Sequence, residues 1–386
     1  MKIKGNILNI NYPVSLRETP LQILKGIWRL PLSCFLLSCF LLFSCTAPTP
    51  KYIFLFIGDG MGVGTLTYSE MIAGEKGDTL CFSQFPVTGL TTTHSADDLV
   101  TCSAAAATAL ASGEKTNNHI LNIAPDSVRF LMPISKIVHQ KGYGVGIATT
   151  VSLDHATPAG FYAHSLSRKN YYDIAKQLPA SGFEFFAGSG FLKPEPKDSV
   201  SIFTLLRESG YAIHTSIEEG RRSRSLKNVL IQSQDKDNAQ LPYSIHKNKD
   251  DFTLAQMTQL GIEKLSALNK PFFFMIEGGL IDWAAHDNLE QELYGEVKEF
   301  SKAIEVALAF YKKHPQETLI IVTADHETGG VLIFSEGLRF KSEDHTGGIV
   351  PVFAAGVGAE NFSGLYDNTG VVKRVLKSLH FDKCRE

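Results

Sequence analysis

Asp59, Asp154 with His155, Glu277, and Asp325 with His326 each follow closely on a short, nearly all-apolar run of the chain. Carboxylate oxygen and imidazole nitrogen are donors for divalent cations; oxygen alone suits hard ions such as magnesium, and a mixed oxygen and nitrogen set suits zinc. A single acidic residue after an apolar run is usually a turn former or a cap. Four such positions in one chain point instead to a common site. Asp282 and His286, four residues apart, share a face if a helical turn begins after Glu277-Gly278-Gly279. His345 lies in the glycine-rich stretch Asp344-His345-Thr346-Gly347-Gly348. Three histidines and several carboxylates are enough for two zinc sites.

Ser103 opens the run Ser103-Ala104-Ala105-Ala106-Ala107-Thr108-Ala109-Leu110, a strong helix former closed by Gly113. The plainest role for a serine there is an N-cap. The same geometry serves chemistry too, because a helix N-terminus draws anions through its free amides and dipole and would hold a phosphate against the hydroxyl.

These residues need a frame. The runs Lys51 to Ile57, Val145 to Thr149, Pro271 to Ile276, Glu317 to Thr323 and Val350 to Ala355 read as buried strands. Helical patterns fall at Pro133 to Gln140, Tyr171 to Leu178 and about Leu289 to Tyr311. The alternation predicts an α/β domain around a largely parallel sheet, whose active sites lie beyond the carboxyl ends of the strands. Residues 51–386 read as one catalytic domain, with a polar, surface-rich insertion around 193–249 whose basic cluster Arg221, Arg222 and Arg224 reads as a solvated face.

The 386 residues, 44% hydrophobic and 20% charged, have the composition of a globular protein with a large core. Lys plus Arg number 37 against 40 Asp plus Glu, so nucleic-acid binding is not expected. At the N-terminus Lys25 and Arg29 precede an apolar stretch from Leu30 to Phe43. That stretch is shorter than the ~20 residues of a membrane-spanning helix and fits a signal peptide over residues 1–45. Its end, Leu42-Phe43-Ser44-Cys45, resembles the bacterial lipobox, which implies an exported protein of a bacterium, periplasmic or membrane-anchored through a lipid on Cys45, with residues 46–50 as a tether. Cys81, Cys102 and Cys384 remain; the odd number argues against a disulfide framework and leaves room for one bridge, for instance Cys81 to Cys384.

Read in order, Ile57-Gly-Asp-Gly-Met-Gly62, Thr101-Cys-Ser-Ala-Ala105, Asp154-His-Ala-Thr-Pro158, Ile276-Glu-Gly-Gly279, Ile281-Asp-Trp-Ala-Ala-His286, Thr323-Ala-Asp-His-Glu-Thr-Gly-Gly330 and His345-Thr-Gly347 resemble the alkaline phosphatase family over nearly the whole chain after Lys51. The resemblance implies a three-layer sandwich with a large, mostly parallel central sheet flanked by helices. It implies hydrolysis of phosphate monoesters through a phosphoserine on Ser103, with Arg168 clamping the phosphate. Asp59, Asp325 and His326 would bind one zinc, and Asp282, His286 and His345 a second. Magnesium would take oxygen from Asp59, Thr157 and Glu277. Family members are commonly dimers, so a homodimer is implied as well.

Three positions depart from the family pattern. Cys102 stands where the best-known branch has an aspartate that braces the arginine. His155 replaces a carboxylate near the third metal, which makes zinc an alternative occupant there. Trp283 replaces lysine or histidine and offers no positive charge to phosphate. The alternatives are a phosphodiesterase of the same superfamily and a lipoprotein that binds metal or phosphate without turnover. A sulfatase fits less well, because Cys102 is followed by Ser103-Ala104-Ala105-Ala106, without the proline and arginine of the sulfatase motif.

Overall fold

The computed structural model describes residues 48–232 and 240–381. Cys45, the first two residues of the tether and Cys384 therefore lie outside the described residues. Along the chain run β1 (Tyr52–Gly58), β2 (Val87–Thr92), β3 (Gly144–Thr149), β4 (Phe185–Gly188), β5 (Ala212–His214), β6 (Asn228–Ile231) and β7 (Phe272–Gly278). There follow β8 (Thr318–Thr323), β9 (Glu327–Thr328), β10 (Leu332–Phe334), β11 (Gly337–Arg339), β12 (His345–Thr346), β13 (Val350–Gly356) and β14 (Gly364–Asp367).

Ten of these strands form one sheet in the order β14-β2-β13-β8-β1-β7-β3-β4-β6-β5. β13 alone runs against its neighbours; the other pairings are parallel. Strand alternation explains the layers. In β1, Ile53, Leu55 and Ile57 point to one face, where they join Val145, Phe273, Met275 and Ile321 in one core. Phe54 and Phe56 point to the other, against Phe272, Phe274, Ile276 and Ile320. With both faces covered, β1 and β7 have no polar alternation and read as continuous apolar runs. Each fully buried Phe contributes about 1.5–3 kcal/mol relative to exposure.

The Ser103–Ser112 and Thr369–Ser378 helices cover the first core. The second lies under Leu254–Ser266 and the long Glu290–Tyr311 helix. Leu254–Ser266 fits closely because residue 261 is glycine: a Cβ there would lie 2.3 Å from Phe274 Cζ. Among the described residues no helix is long and apolar enough to cross a membrane.

Two expected elements differ in detail. The pattern from Tyr171 to Leu178 is two short helices, Tyr171–Ala175 and Gln177–Ser181. Pro179 accounts for the break, since its ring clashes with the carbonyl four residues back and it donates no N–H. The polar stretch 193–249 includes surface, yet it also carries β5 and β6, which extend the sheet at one edge with Val229, Leu230 and Ile231 fully buried.

The chain reaches the sheet beside the starts of β3, β7 and β8. Lys51 N–H donates to Glu317 O at 2.7 Å, Lys51 O accepts Phe272 N–H at 3.0 Å, and Tyr143 Oη donates to Pro50 O at 3.3 Å.

Candidate active site

β8, β1, β7 and β3 are consecutive in the sheet, and their carboxyl ends are in register. Ile57 pairs with Glu277 on one side and Thr323 on the other, and Thr149 pairs with Glu277. Asp59, Glu277 and Asp325 thus leave adjacent strands at one level. The turn after β1 depends on glycine: Gly60 has φ +72°, where a side chain is strained, and a Cβ on Gly62 would lie 2.1 Å from Glu327 Cγ. The Leu280–His286 helix brings Asp282 and His286 over this end, and the β9/β12 pair, with His345 opposite Thr328, closes it.

Potential ligand atoms gather in three groups: Asp59, Asp325 and His326; Asp282, His286 and His345; and Asp59, His155 and Glu277, each within 4.8 Å of one another. Thr157 joins the third through Oγ1, which donates to Asp59 Oδ2 at 3.3 Å. Asp154 does not join: both its oxygens accept the Leu192 N–H, at 3.1 and 2.9 Å, which ties a neighbouring loop in place.

The histidine tautomers follow from their partners. His345 Nδ1 meets Thr101 O at 2.9 Å and His286 Nδ1 meets Glu343 O; a carbonyl only accepts, so each Nδ1 carries the hydrogen. Thr328 Oγ1 donates to Asp282 Oδ1 at 2.5 Å and therefore accepts from His326 Nδ1 at 3.2 Å. In the neutral ring, each of the three has its Nε2 lone pair facing the interior. His326 Nε2 lies 3.4 Å from Asp59 Oδ1 and 3.2 Å from Asp325 Oδ2, and Asp282 is 3.4 Å from His286 Nε2 and 3.6 Å from His345 Nε2. Fixing the outer nitrogen so that the inner one faces a cation is a recurrent feature of metal sites.

Electrostatics lead to the same place. Asp59, Glu277 and Asp325 are fully buried, and Asp59 Oδ1, Glu277 Oε1 and Asp325 Oδ2 lack any hydrogen-bond partner. Burial, then the charge of Asp325, pushes Asp59 well above the carboxylate range. Burial likewise lifts Asp325 to about 7 and Glu277 to about 8. Asp282 is held low despite its burial by the hydrogen bond to His286, whose own pKa that bond raises to about 9. Buried carboxylates this crowded are costly without counter-charge, and divalent cations supply it. The donor set therefore fits metal ions.

Ser103 is buried at the start of its helix, with Oγ 3.3 Å from His326 Nε2 and 3.4 Å from Arg168 Nη1. It is the first helical residue rather than the N-cap, a position that Cys102 occupies. Arg168 Nη2 donates to His155 Nε2 at 3.0 Å, and burial, then Arg168, lowers His155 to about 3. Trp283, half-buried, sets its ring edge-on to His155 at 6.3 Å.

Thr328, Thr101 and Thr149, whose hydroxyl donates to Glu277 Oε2 at 2.5 Å, orient ligands without being singled out by sequence. Thr149 ends a predicted strand and Thr328 falls within a quoted motif, but neither carries a sign of its partner. Among the described residues Cys81 and Cys102 have no disulfide partner.

Comparison with known proteins fits this geometry. A family model described as alkaline phosphatase matches residues 50–188 and 234–338. Alkaline phosphatase 3 of Bacillus subtilis is 28% identical over 421 residues, covering 86% of this chain and 89% of its own. Alkaline phosphatase from the Antarctic bacterium TAB5 is 34% identical with a TM-score of 0.79, covering 86% of this chain and 99% of that one. A variant of the TAB5 enzyme with one histidine changed to glutamate, 33% identical with a TM-score of 0.78 over the same shares, has Mg bound in its M3 site. The family model matches well over half of the chain, and the chain belongs to the alkaline phosphatase family.

Proposed function

We propose that the chain hydrolyses phosphate monoesters to an alcohol and inorganic phosphate through a phosphoserine at Ser103. The observation that carries the reading is the Ser103 hydroxyl at a helix start, 3.3 Å from His326 and 3.4 Å from Arg168, beside three cation-suited groups. Asp59, Asp325 and His326 would hold one Zn2+, Asp282, His286 and His345 another, and Asp59, Thr157 and Glu277 a Mg2+. Oxygen donors from Asp59, Thr157 and Glu277 support magnesium at the third site, where His155 also admits Zn2+. Bound there, the cations supply Lewis acidity that neutralises phosphoryl charge and favours deprotonated oxygen nucleophiles.

Ser103 Oγ loses its proton and attacks phosphorus in line, the phosphorus–oxygen bond to the alcohol breaks, and phosphoserine results. Water then attacks from the vacated side, the bond to Ser103 breaks, and phosphate leaves. Arg168 can take two phosphoryl oxygens with its planar guanidinium, and the first amides of the Ser103 helix lack intrahelical acceptors and face the same anion. His155, neutral, orients the guanidinium rather than adding charge.

We read the protein as exported and bacterial, periplasmic or anchored through a lipid on Cys45, and as able to form a homodimer. Incorporation of labelled fatty acid that persists in Cys45→Ser would overturn the anchor. For the activity, metal-loaded residues 46–386 are given an aryl phosphate monoester, a diester and a sulfate ester, with Ser103→Ala alongside. Dominant monoester turnover, lost in Ser103→Ala and with chelator, together with phosphorylated Ser103 trapped for mass spectrometry, is the expected result. Preference for the diester would correct the substrate class. Absence of turnover would favour a binding protein.

A further inference from the structure

Arg168 is supported differently from what its role suggests. Its guanidinium contacts two neutral groups, the Ser103 hydroxyl and the His155 imidazole. Among the described residues no carboxylate forms an ion pair with it. With no charged partner at its head, the reach of this long side chain depends all the more on where its backbone is held.

The backbone of Arg168 is fixed from an unexpected direction. Its N–H donates to His119 O at 2.8 Å. The His119 N–H in turn donates to Cys102 Sγ at 3.0 Å. Cys102 is buried, caps the nucleophile's helix in extended conformation, and makes no side-chain cap hydrogen bond, so its sulfur is available to the neighbouring loop. The same loop returns the contact: Asn118 Oδ1 accepts the Cys102 N–H at 2.9 Å while Asn118 Nδ2 donates to Val100 O at 2.9 Å. His119 has φ +70°, a conformation a non-glycine residue holds only where its surroundings impose it. Its side chain is exposed, so what the site uses is the peptide groups on either side.

A closed circuit results. It runs from Ser103 through the peptide bond to Cys102, from Cys102 Sγ to His119, from His119 O to Arg168, and from the guanidinium back to Ser103. We propose that Cys102 is a positioning residue whose thiol sulfur, through the His119 peptide, sets Arg168 at the distance from Ser103 at which both meet one phosphoryl group. This rests on the phosphate-monoester reading given above.

The experiment measures the affinity of metal-loaded protein for inorganic phosphate by calorimetry, and kcat and KM for an aryl phosphate, in wild type, Cys102→Ala, Cys102→Val and Cys102→Ser. Loss of one neutral hydrogen bond is expected to weaken phosphate binding about fivefold in the alanine and valine variants, with serine, which keeps an acceptor, within about twofold of wild type. KM should rise in step with the phosphate dissociation constant while kcat moves by less than about twofold. In an Arg168→Ala background, Cys102→Ala should add no further weakening, because its effect passes through the arginine. Additive losses in that background, unchanged phosphate affinity in both the alanine and valine variants, or failure of serine to restore it would overturn the proposal. Valine matches the thiol in bulk and serves if alanine destabilises the helix start. Absence of turnover in wild type would sink the functional reading instead, and the phosphate affinities would still decide the role of Cys102.

Discussion

The group of Asp59, Asp325 and His326 and the group of Asp282, His286 and His345 share the same ligand types and differ in what holds them. Asp59, Asp325 and His326 extend from adjacent central strands and are fully buried. Asp282, His286 and His345 come from a seven-residue helix and a two-residue strand, and the His286 side chain is 34% exposed. In the inner group burial, and then crowding, drives carboxylates toward protonation; in the outer group an acid and a base already neutralise each other. The inner pocket therefore depends on its cation for charge balance. The outer one can wait for its cation without strain, and solvent reaches it.

Asp325→Asn tests the sealed side most directly: it should lower kcat/KM by at least about 10³-fold, with no recovery in excess zinc, because two cation-suited pockets act as a unit. Recovery at millimolar-range zinc would erase the distinction between pockets. His286→Ala should cost less, about 10- to 100-fold, and regain much of it when zinc is added, read from activity against free metal. Thr328 touches both groups, donating to Asp282 and accepting from His326. Thr328→Val is expected to lower activity about 10-fold and to weaken both metals, as metal content by elemental analysis will show.

pH sharpens the comparison in protein stripped of metal. Asp325 and Glu277 have folded pKa values of about 7 and 8, above their ordinary range, so the folded state holds protons that the unfolded chain has released. That contribution is complete below about pH 4 and is lost as pH rises through 7 to 8. His286, raised from its ordinary value to about 9, adds a contribution that is complete below about pH 6.5 and is lost as pH rises through 9. Melting of the stripped protein should fall by at least about 4 °C between pH 5 and 8, and the fall should be much smaller in the metal-loaded form, where only carboxylates outside the site such as Asp154 and Glu296 still contribute. A melting temperature independent of pH in the stripped protein would contradict the charge crowding. The smallest effect concerns Trp283, beside His155: Trp283→His should tighten product inhibition by phosphate about two- to fivefold by supplying a group able to carry charge.

The same contrast explains what could be read from the chain. The inner ligands were legible because strand ends write themselves as an apolar run followed by an acid, as in Phe54-Leu-Phe-Ile57 before Asp59. The pair Asp282 and His286 was legible from helical spacing. Thr328, Thr101 and Asn118 were not, because a hydroxyl or a carbonyl gains its role from a partner distant in sequence; His345 and Thr101, for example, are 244 residues apart. Strands β5 and β6 were hidden in a polar stretch, since edge strands as short as Ala212–His214 carry too little pattern to register. That β13 alone reverses is a property of how the chain returns to the sheet, and nothing within Val350–Gly356 marks direction.

The place where the chain joins the sheet has a consequence for orientation. Lys51 leads into β1 beside Glu317 and Phe272, and Asp59 follows the far end of that strand, roughly 25 Å away at strand rise. Any mooring through the residues before Pro48 therefore pulls on the pole of the sheet opposite the site.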